Sequence, residues 1–152
     1  MTRTITSPIG PIHLIEEDGA IIGLYFREGT SDASPNPILD LCEKELTAYF
    51  DGKLQGFTVP VRLKGTDFRK QVWDALKTIP YGKTVSYKDI ALQIDNPKAV
   101  RAVGGANHNN PVSIIIPCHR VVGANGSLTG YGGGMDAKKW LLELEAKNNE
   151  CK

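Results

Sequence analysis

The amino-acid sequence predicts a two-part chain: a small α/β unit over residues 1–62, then a mainly helical unit over residues 63–152 built around a helix-turn-helix. Three observations predict it. Short β-rich runs broken by turn signals open the chain, and helical stripes with capping residues take over after residue 63. Charge changes sign at the same place. Residues 1–62 carry five Lys and Arg against nine Asp and Glu, whereas residues 63–152 carry thirteen against eight. A basic half joined to an acidic half points to a polyanionic partner for the second unit, although many enzymes without such a partner are equally lopsided.

Composition excludes several classes. With 41% apolar and 23% charged residues, the 152-residue chain is of the ordinary soluble globular kind and long enough to bury a core. No run approaches a membrane span, and the opening MTRTITSPIG lacks the apolar centre of a signal peptide. Three cysteines, Cys42, Cys118 and Cys151, have no CxxC spacing and no histidine cluster nearby. A disulfide framework and a structural metal site are therefore not expected, and the reducing cytoplasm is the expected location.

In the first unit, residues 4–7, 12–16 and 20–26 read as short strands. Asp18-Gly19 between the last two is a strong hairpin signal. The Ser-, Asp- and Pro-rich stretch 30–37 is a loop. Residues 38–50 carry apolar side chains at helical spacing, which puts Cys42 in the core, and Asp51-Gly52 stops that helix. Residues 58–63 are expected to add one more strand.

In the second unit, Thr66 or Asp67 caps a helix expected to run to about Ile79, with Phe68, Val72, Leu76 and Ile79 on one face. Pro80-Tyr81-Gly82 is a turn. Ser86 caps a short helix over 87–93, and Asn96-Pro97 is expected to start the next, over 97–107. Two short helices so closely spaced form a helix-turn-helix pattern. Ala99, Ala102, Gly104, Gly105 and Ala106 make the second helix slim. Close packing explains that as well as entry into a DNA groove does, with Arg101 as the one long side chain at its middle. A final helix is expected over 136–147, with Trp140, Leu141 and Leu144 inward.

The most informative segment is IIIPCHRV, residues 114–121. Its apolar run reads as a buried strand ended by Pro117, which cannot donate to a ladder. Cys118 is then expected at the lip of a pocket, beside cations that favour its nucleophilic thiolate. A lone cysteine after such a run is more often a small core residue. Downstream, 123–126 is a turn and TGYGGG at 129–134 lacks the spacing of a phosphate loop, so no nucleotide cofactor is expected.

IPCHRV, preceded by GTDFRKQVW, IPYGKTVSY and NPKAVRAVGGAN and followed by GYGGG and KKWLLELE, closely resembles the O6-alkylguanine-DNA alkyltransferases, the methylated-DNA–protein-cysteine methyltransferases. The match runs through residues 63–147 in the family's order and spacing. The first 60 residues match in outline only. The resemblance implies a ribonuclease-H-like α/β domain followed by a winged-helix-like domain. Some relatives bind zinc in the first domain; this chain offers only His13 and Cys42 there, so no metal is expected.

By the same resemblance, Cys118 is the nucleophile that accepts the alkyl group. His119 and Glu145 activate it through a water, and Asn110 orders the turn around it. Tyr87 crowds the DNA backbone and bonds the flipped guanine, and Arg101 fills the gap that base leaves. Lys98, Ala99, Val100 and Gly104 belong to the DNA-facing surface. Tyr131, Gly132 and Gly133, with Val121 and Asn107, line the guanine pocket. Many relatives have serine in place of Gly132, so only a backbone contact can persist there. The implied partner is double-stranded DNA containing O6-alkylguanine, read by a monomer without cofactor or membrane. Activity on O4-alkylthymine stays open.

The chemistry is consistent with that assignment. Moving a methyl group from guanine oxygen to sulfur needs a soft nucleophile, and a free cysteine is only about 3% thiolate at neutral pH. A Cys-His-carboxylate arrangement removes the proton. The target oxygen lies inside the duplex, so the base must be extruded. Nothing in the sequence offers a way to clear a thioether, so the reaction is expected to stop after one event. Two alternatives are a damage sensor that binds the alkylated base without transfer, whose relatives lack the cysteine, and a thiol-dependent hydrolase, which has no use for a helix-turn-helix.

Overall fold

The computed structural model describes residues 1–123 and 135–150, without the side chains of 135, 149 and 150. The chain divides into two compact units, Met1–Leu63 and Lys64–Lys152.

The first unit is a three-stranded antiparallel sheet, β1 (Thr2–Ser7), β2 (Gly10–Glu17) and β3 (Ala20–Tyr25) in that order, with one helix, α1 (Pro37–Phe50), packed on it. Asp18 (φ 49°) and Gly19 (φ 82°) both adopt the left-handed conformation that a two-residue type I′ hairpin requires, which fixes Glu17 opposite Ala20. Ile12, Leu14, Ile21 and Leu24 then face Leu39, Cys42, Leu46 and Tyr49 of α1 in one buried layer. Asn36 caps α1 by accepting from Leu39 N–H, with Pro37 preorganised at the first position. Gly52 (φ 75°) ends the helix where the Lys53 N–H bonds back to Ala48. The strand expected over 58–63 is reduced to one parallel bridge, Val61 with Ile21. Pro60 has no N–H to extend a ladder, and the buried carboxylate of Glu45 takes up the N–H groups of Thr58 and Val59 (3.0 and 2.8 Å) instead.

The second unit contains α2 (Asp67–Leu76), β4 (Val85–Ser86), α3 (Tyr87–Gln93), α4 (Val100–His108), a single 3₁₀ turn (Cys118–Arg120), β5 (Val121–Val122) and α5 (Met135–Glu150). Thr66 caps α2 through Arg69 N–H. That helix stops at Leu76 rather than near Ile79, because the Thr78 and Ile79 N–H groups tighten to carbonyls three residues back. Ser86 and Asp89 form a reciprocal capping box on α3.

The helix-turn-helix is α3 and α4, with a correction at the turn. Asn96-Pro97 does not start the second helix. Asp95 takes a left-handed conformation (φ 58°) while Asn96 N–H bonds Ala91 O and Asp95 N–H bonds Leu92 O, a Schellman closure of α3. Pro97 then sits inside a turn closed by Ala99 N–H to Asn96 O (3.0 Å), and α4 begins only at Val100. Proline at the second position of a turn is as well satisfied as at the start of a helix. The Trp73 indole N–H donates to Ala106 O (2.9 Å), fixing α4 to α2. No helix of the described residues is long and apolar enough to cross a membrane.

Candidate active site

The apolar run before Cys118 is a folded-back turn, not the expected buried strand. Ile114 holds φ 73° and Ile115 N–H bonds Ser113 O (2.9 Å), a γ-turn of the rare positive-φ kind. Pro117 (φ −79°, ψ 62°) centres a second, inverse γ-turn closed by Cys118 N–H to Ile116 O (2.7 Å). A β-branched residue in the left-handed region costs on the order of 1–3 kcal/mol, so surrounding contacts must hold it. Asn110 supplies them. Its amide N–H donates to Ile116 O (2.8 Å) and its oxygen accepts from Val112 N–H (3.0 Å), both buried. Periodicity could not reveal this, since three isoleucines in a strand and three in a double γ-turn read alike.

Cys118 is 2% exposed, so it does not stand at an open lip. Burial pushes its thiol up, and hydrogen bonds from Asn110 and Ser113 and the charge of Lys138 only partly oppose that. The cations expected to favour the thiolate are engaged elsewhere. Arg120 forks onto Glu145, Nε to Oε1 at 2.8 Å and Nη2 to Oε2 at 3.0 Å, and its Nη1 donates to Ile79 O at 2.7 Å. His119 Nε2 lies 2.6 Å from Glu145 Oε2, both groups being fully buried. Gly82 N–H adds a fourth donor to the carboxylate at 3.3 Å.

Burial alone would raise the Glu145 pKa; the bonds from His119 and Arg120 outweigh it and hold the carboxyl down to about 2. An ionised carboxylate only accepts, so the facing His119 nitrogen carries the proton. Burial also holds the His119 pKa below its usual range, against the pull of Glu145. The imidazole is thus neutral near pH 7, with Nδ1 as its basic nitrogen.

Two site residues escaped the sequence reading. Arg120 counts there only as one of the cations beside Cys118. Lys138 is not singled out there, yet it is fully buried and its Nζ donates to Val121 O at 2.6 Å. The signal was available: Lys138, Leu141 and Glu145 follow the i, i+3, i+7 spacing of one helix face. Leu141 and Glu145 are buried beside Lys138, whereas Trp140 and Leu144 are only half-buried.

The remaining candidates fall into two groups. Val121 is buried, and β5 pairs in parallel with β4, Val85 opposite Val121, which ties the Cys118 turn to the residues just before Tyr87. Tyr87 is half-buried at the start of α3. Asn107 is buried on α4 and its amide N–H donates to Cys118 O at 3.3 Å. Elsewhere on α4, Arg101 is exposed, Val100 is 38% exposed and Gly104 is half-buried. Lys98 (exposed) and Ala99 (half-buried) lie in the preceding turn rather than in the helix. A Cβ added at Gly104 or Gly105 would meet nothing within 4 Å. Close packing therefore does not explain the two glycines, which leave a bare helix surface, although it does explain Ala106, buried where α4 meets Trp73. Tyr131, Gly132, Gly133 and Cys151, with the turn at 123–126 and the glycine stretch at 129–134, fall wholly or mostly outside the described residues. Cys42 is fully buried and its thiol is pushed up to about 12, first by burial, so it is a core residue. Among the described residues, no group of three His, Cys, Asp or Glu is placed to hold a metal ion.

Comparison with known proteins agrees with both units. The family model for the 6-O-methylguanine DNA methyltransferase ribonuclease-like domain matches residues 1–63, and that for its DNA binding domain matches residues 67–147. A methylated-DNA–protein-cysteine methyltransferase of Mycobacterium bovis is 52% identical over 149 residues, covering 94% of this chain and 90% of its own. One from Methanosarcina acetivorans is 49% identical over 146 residues, covering 91% and 94%. A crystal structure of Mycobacterium tuberculosis OGT in complex with DNA superposes with a TM-score of 0.89 at 51% identity, covering 97% of this chain and 93% of that one. The expected fold, a ribonuclease-like domain with a helical DNA-binding domain, is the one found. The chain belongs to the 6-O-methylguanine DNA methyltransferase family.

Proposed function

We propose that this protein repairs double-stranded DNA by moving the alkyl group of O6-alkylguanine onto its own Cys118, once per molecule. One observation carries the reading. The helix that leaves Arg101 and a bare glycine surface exposed is bonded, through Asn107 and the adjoining Asn110, to the backbone on either side of the Cys118 nitrogen. A surface suited to DNA and a buried nucleophile thus share one rigid element.

In this mechanism the slim side of α4 enters a groove and Arg101 takes the place of the extruded base. Tyr87 crowds the neighbouring phosphate, and Lys98, Ala99, Val100 and Gly104 contact the backbone. Asn107, Val121, Tyr131, Gly132 and Gly133 receive the guanine. The resting sulfur is a thiol, so it must lose its proton as it attacks. His119, neutral and oriented by Glu145, takes that proton through a water. The sulfur–carbon bond forms as the carbon–oxygen bond breaks, and the guanine leaves with a proton from the same relay. The methyl thioether is a poor electrophile, so Cys118 is not regenerated. The protein acts as a monomer, in the cytoplasm, without cofactor.

Arg101→Ala is expected to slow methyl transfer from a duplex by about tenfold or more while leaving transfer from the free base O6-benzylguanine within about twofold, since a free base needs no extrusion. Duplex affinity should fall as salt rises, through counterion release by Lys98, Arg101 and their neighbours. Equal losses on the two substrates would remove Arg101 from this role.

A further inference from the structure

We infer that the Ser113 hydroxyl is a further catalytic residue, accepting from the Cys118 thiol in the resting protein and turning to donate to the sulfur as it ionises. The inference rests on Cys118 being the nucleophile. Ser113 is 6% exposed, and its Oγ stands 3.9 Å from Cys118 Sγ, with the thiol donating. The two residues stand five positions apart in the chain. They meet because the left-handed Ile114 folds the segment back and bridges Ser113 to Ile116. The strained conformation therefore has a use: it sets a hydroxyl against the reacting atom.

A hydroxyl suits that position better than an amide or a charge. It is donor and acceptor at once, and its hydrogen can rotate. A thiol presents a weak donor to it, whereas a thiolate is an acceptor with full charge. Rotation alone converts the first contact into the second, and Ser113 neither gains nor loses a proton. Bonds to charged groups are the stronger ones and shorten as the charge forms, so a contact that is long at rest tightens when it is needed. Among the described residues, Asn110 also bonds the sulfur and Lys138 from α5 is the charge acting on it, while the His119, Arg120 and Glu145 cluster begins at the next residue. All of them persist when Ser113 is changed. The Ser113 bond also acts on the thiol in the right direction, lowering a pKa that burial raises.

The test is the pH dependence of two readouts in Ser113→Ala and Ser113→Thr. The first is thiolate absorbance in the ultraviolet, as the difference from the same protein carrying Cys118→Ser. The second is the single-turnover rate of methyl transfer from an O6-methylguanine duplex. Losing one hydrogen bond to a charged atom should move the Ser113→Ala titration upward by about one pH unit and slow transfer about tenfold on the acid side. The rates should converge where the sulfur is fully ionised, and Ser113→Thr should return both curves toward wild type. An unchanged titration, or a rate loss independent of pH, would overturn the assignment and leave Ser113 a packing residue. Absorbance reports on Ser113 without DNA, so a failure of methyl transfer in wild type would count against the repair reading alone.

Discussion

Cys118→Ser is expected to abolish methyl transfer while leaving duplex affinity within about twofold. The substitution replaces one atom in a fully packed site, and the new hydroxyl finds the partners the thiol had, Ser113 and Asn110. Folding should therefore survive. Chemistry should not, because an alcohol is a harder and far weaker nucleophile than a thiolate toward a methyl carbon, and its proton is much harder for a neutral histidine to remove. In this reading groove docking uses the exposed surface around Arg101, whereas Cys118 is buried. Labelled methyl on an O6-methylguanine oligonucleotide checks both halves. Label recovered on Cys42 would move the nucleophile elsewhere, but that thiol lies on the buried face of α1 with a pKa pushed up to about 12, the wrong environment for attack.

Glu145→Gln is expected to carry the second-largest effect, on stability and rate together. Its carboxylate accepts from His119, twice from Arg120 and from Gly82 N–H, all beneath the surface. An amide of the same shape leaves the Arg120 guanidinium buried without its counter-charge, which costs about 3–5 kcal/mol in comparable buried pairs. It also releases His119 from its tautomer, so methyl transfer should fall about 100-fold or more. The pH dependence has a definite sign. A carboxyl whose folded pKa is depressed from 4.5 to about 2 contributes stability that is full above the unfolded value and is lost as pH falls from about 5 toward 2. Glu145→Gln should flatten the acid limb of the denaturation midpoint over that window. A midpoint loss below about 1 kcal/mol, with the acid limb unchanged, would mean the network contributes little.

Local signals were legible wherever one residue type met one backbone demand. Asp18-Gly19, Asp51-Gly52 and the Ser86 cap were readable because a left-handed turn or an open helix end has few chemical solutions. Asn96-Pro97 was misread because two solutions exist, and the choice depended on Asp95 closing α3, a left-handed residue that is not glycine. The 114–116 run was misread for a related reason. Its backbone is dictated by Asn110, whose amide spans the turn in space and leaves no period in the sequence. The nucleophile and its histidine were legible as neighbours. Their electrostatics were not. Whether Arg120 favours a thiolate or serves Glu145 is decided 25 residues further on, and the role of Lys138 shows only when α5 is docked with Glu145 facing inward.

The central claim is a transfer that spends the protein, and titration of excess O6-methylguanine duplex against a fixed amount of protein tests it most directly. The thioether on Cys118 is stable at neutral pH, and among the described residues the one other thiol, Cys42, is buried in the first unit's core. Methyl transfer should rise in a single burst and stop at one methyl per chain, with the intact mass increased by one methyl group on the peptide that contains Cys118. Continued turnover past that plateau, with unmodified protein recovered, would contradict the account.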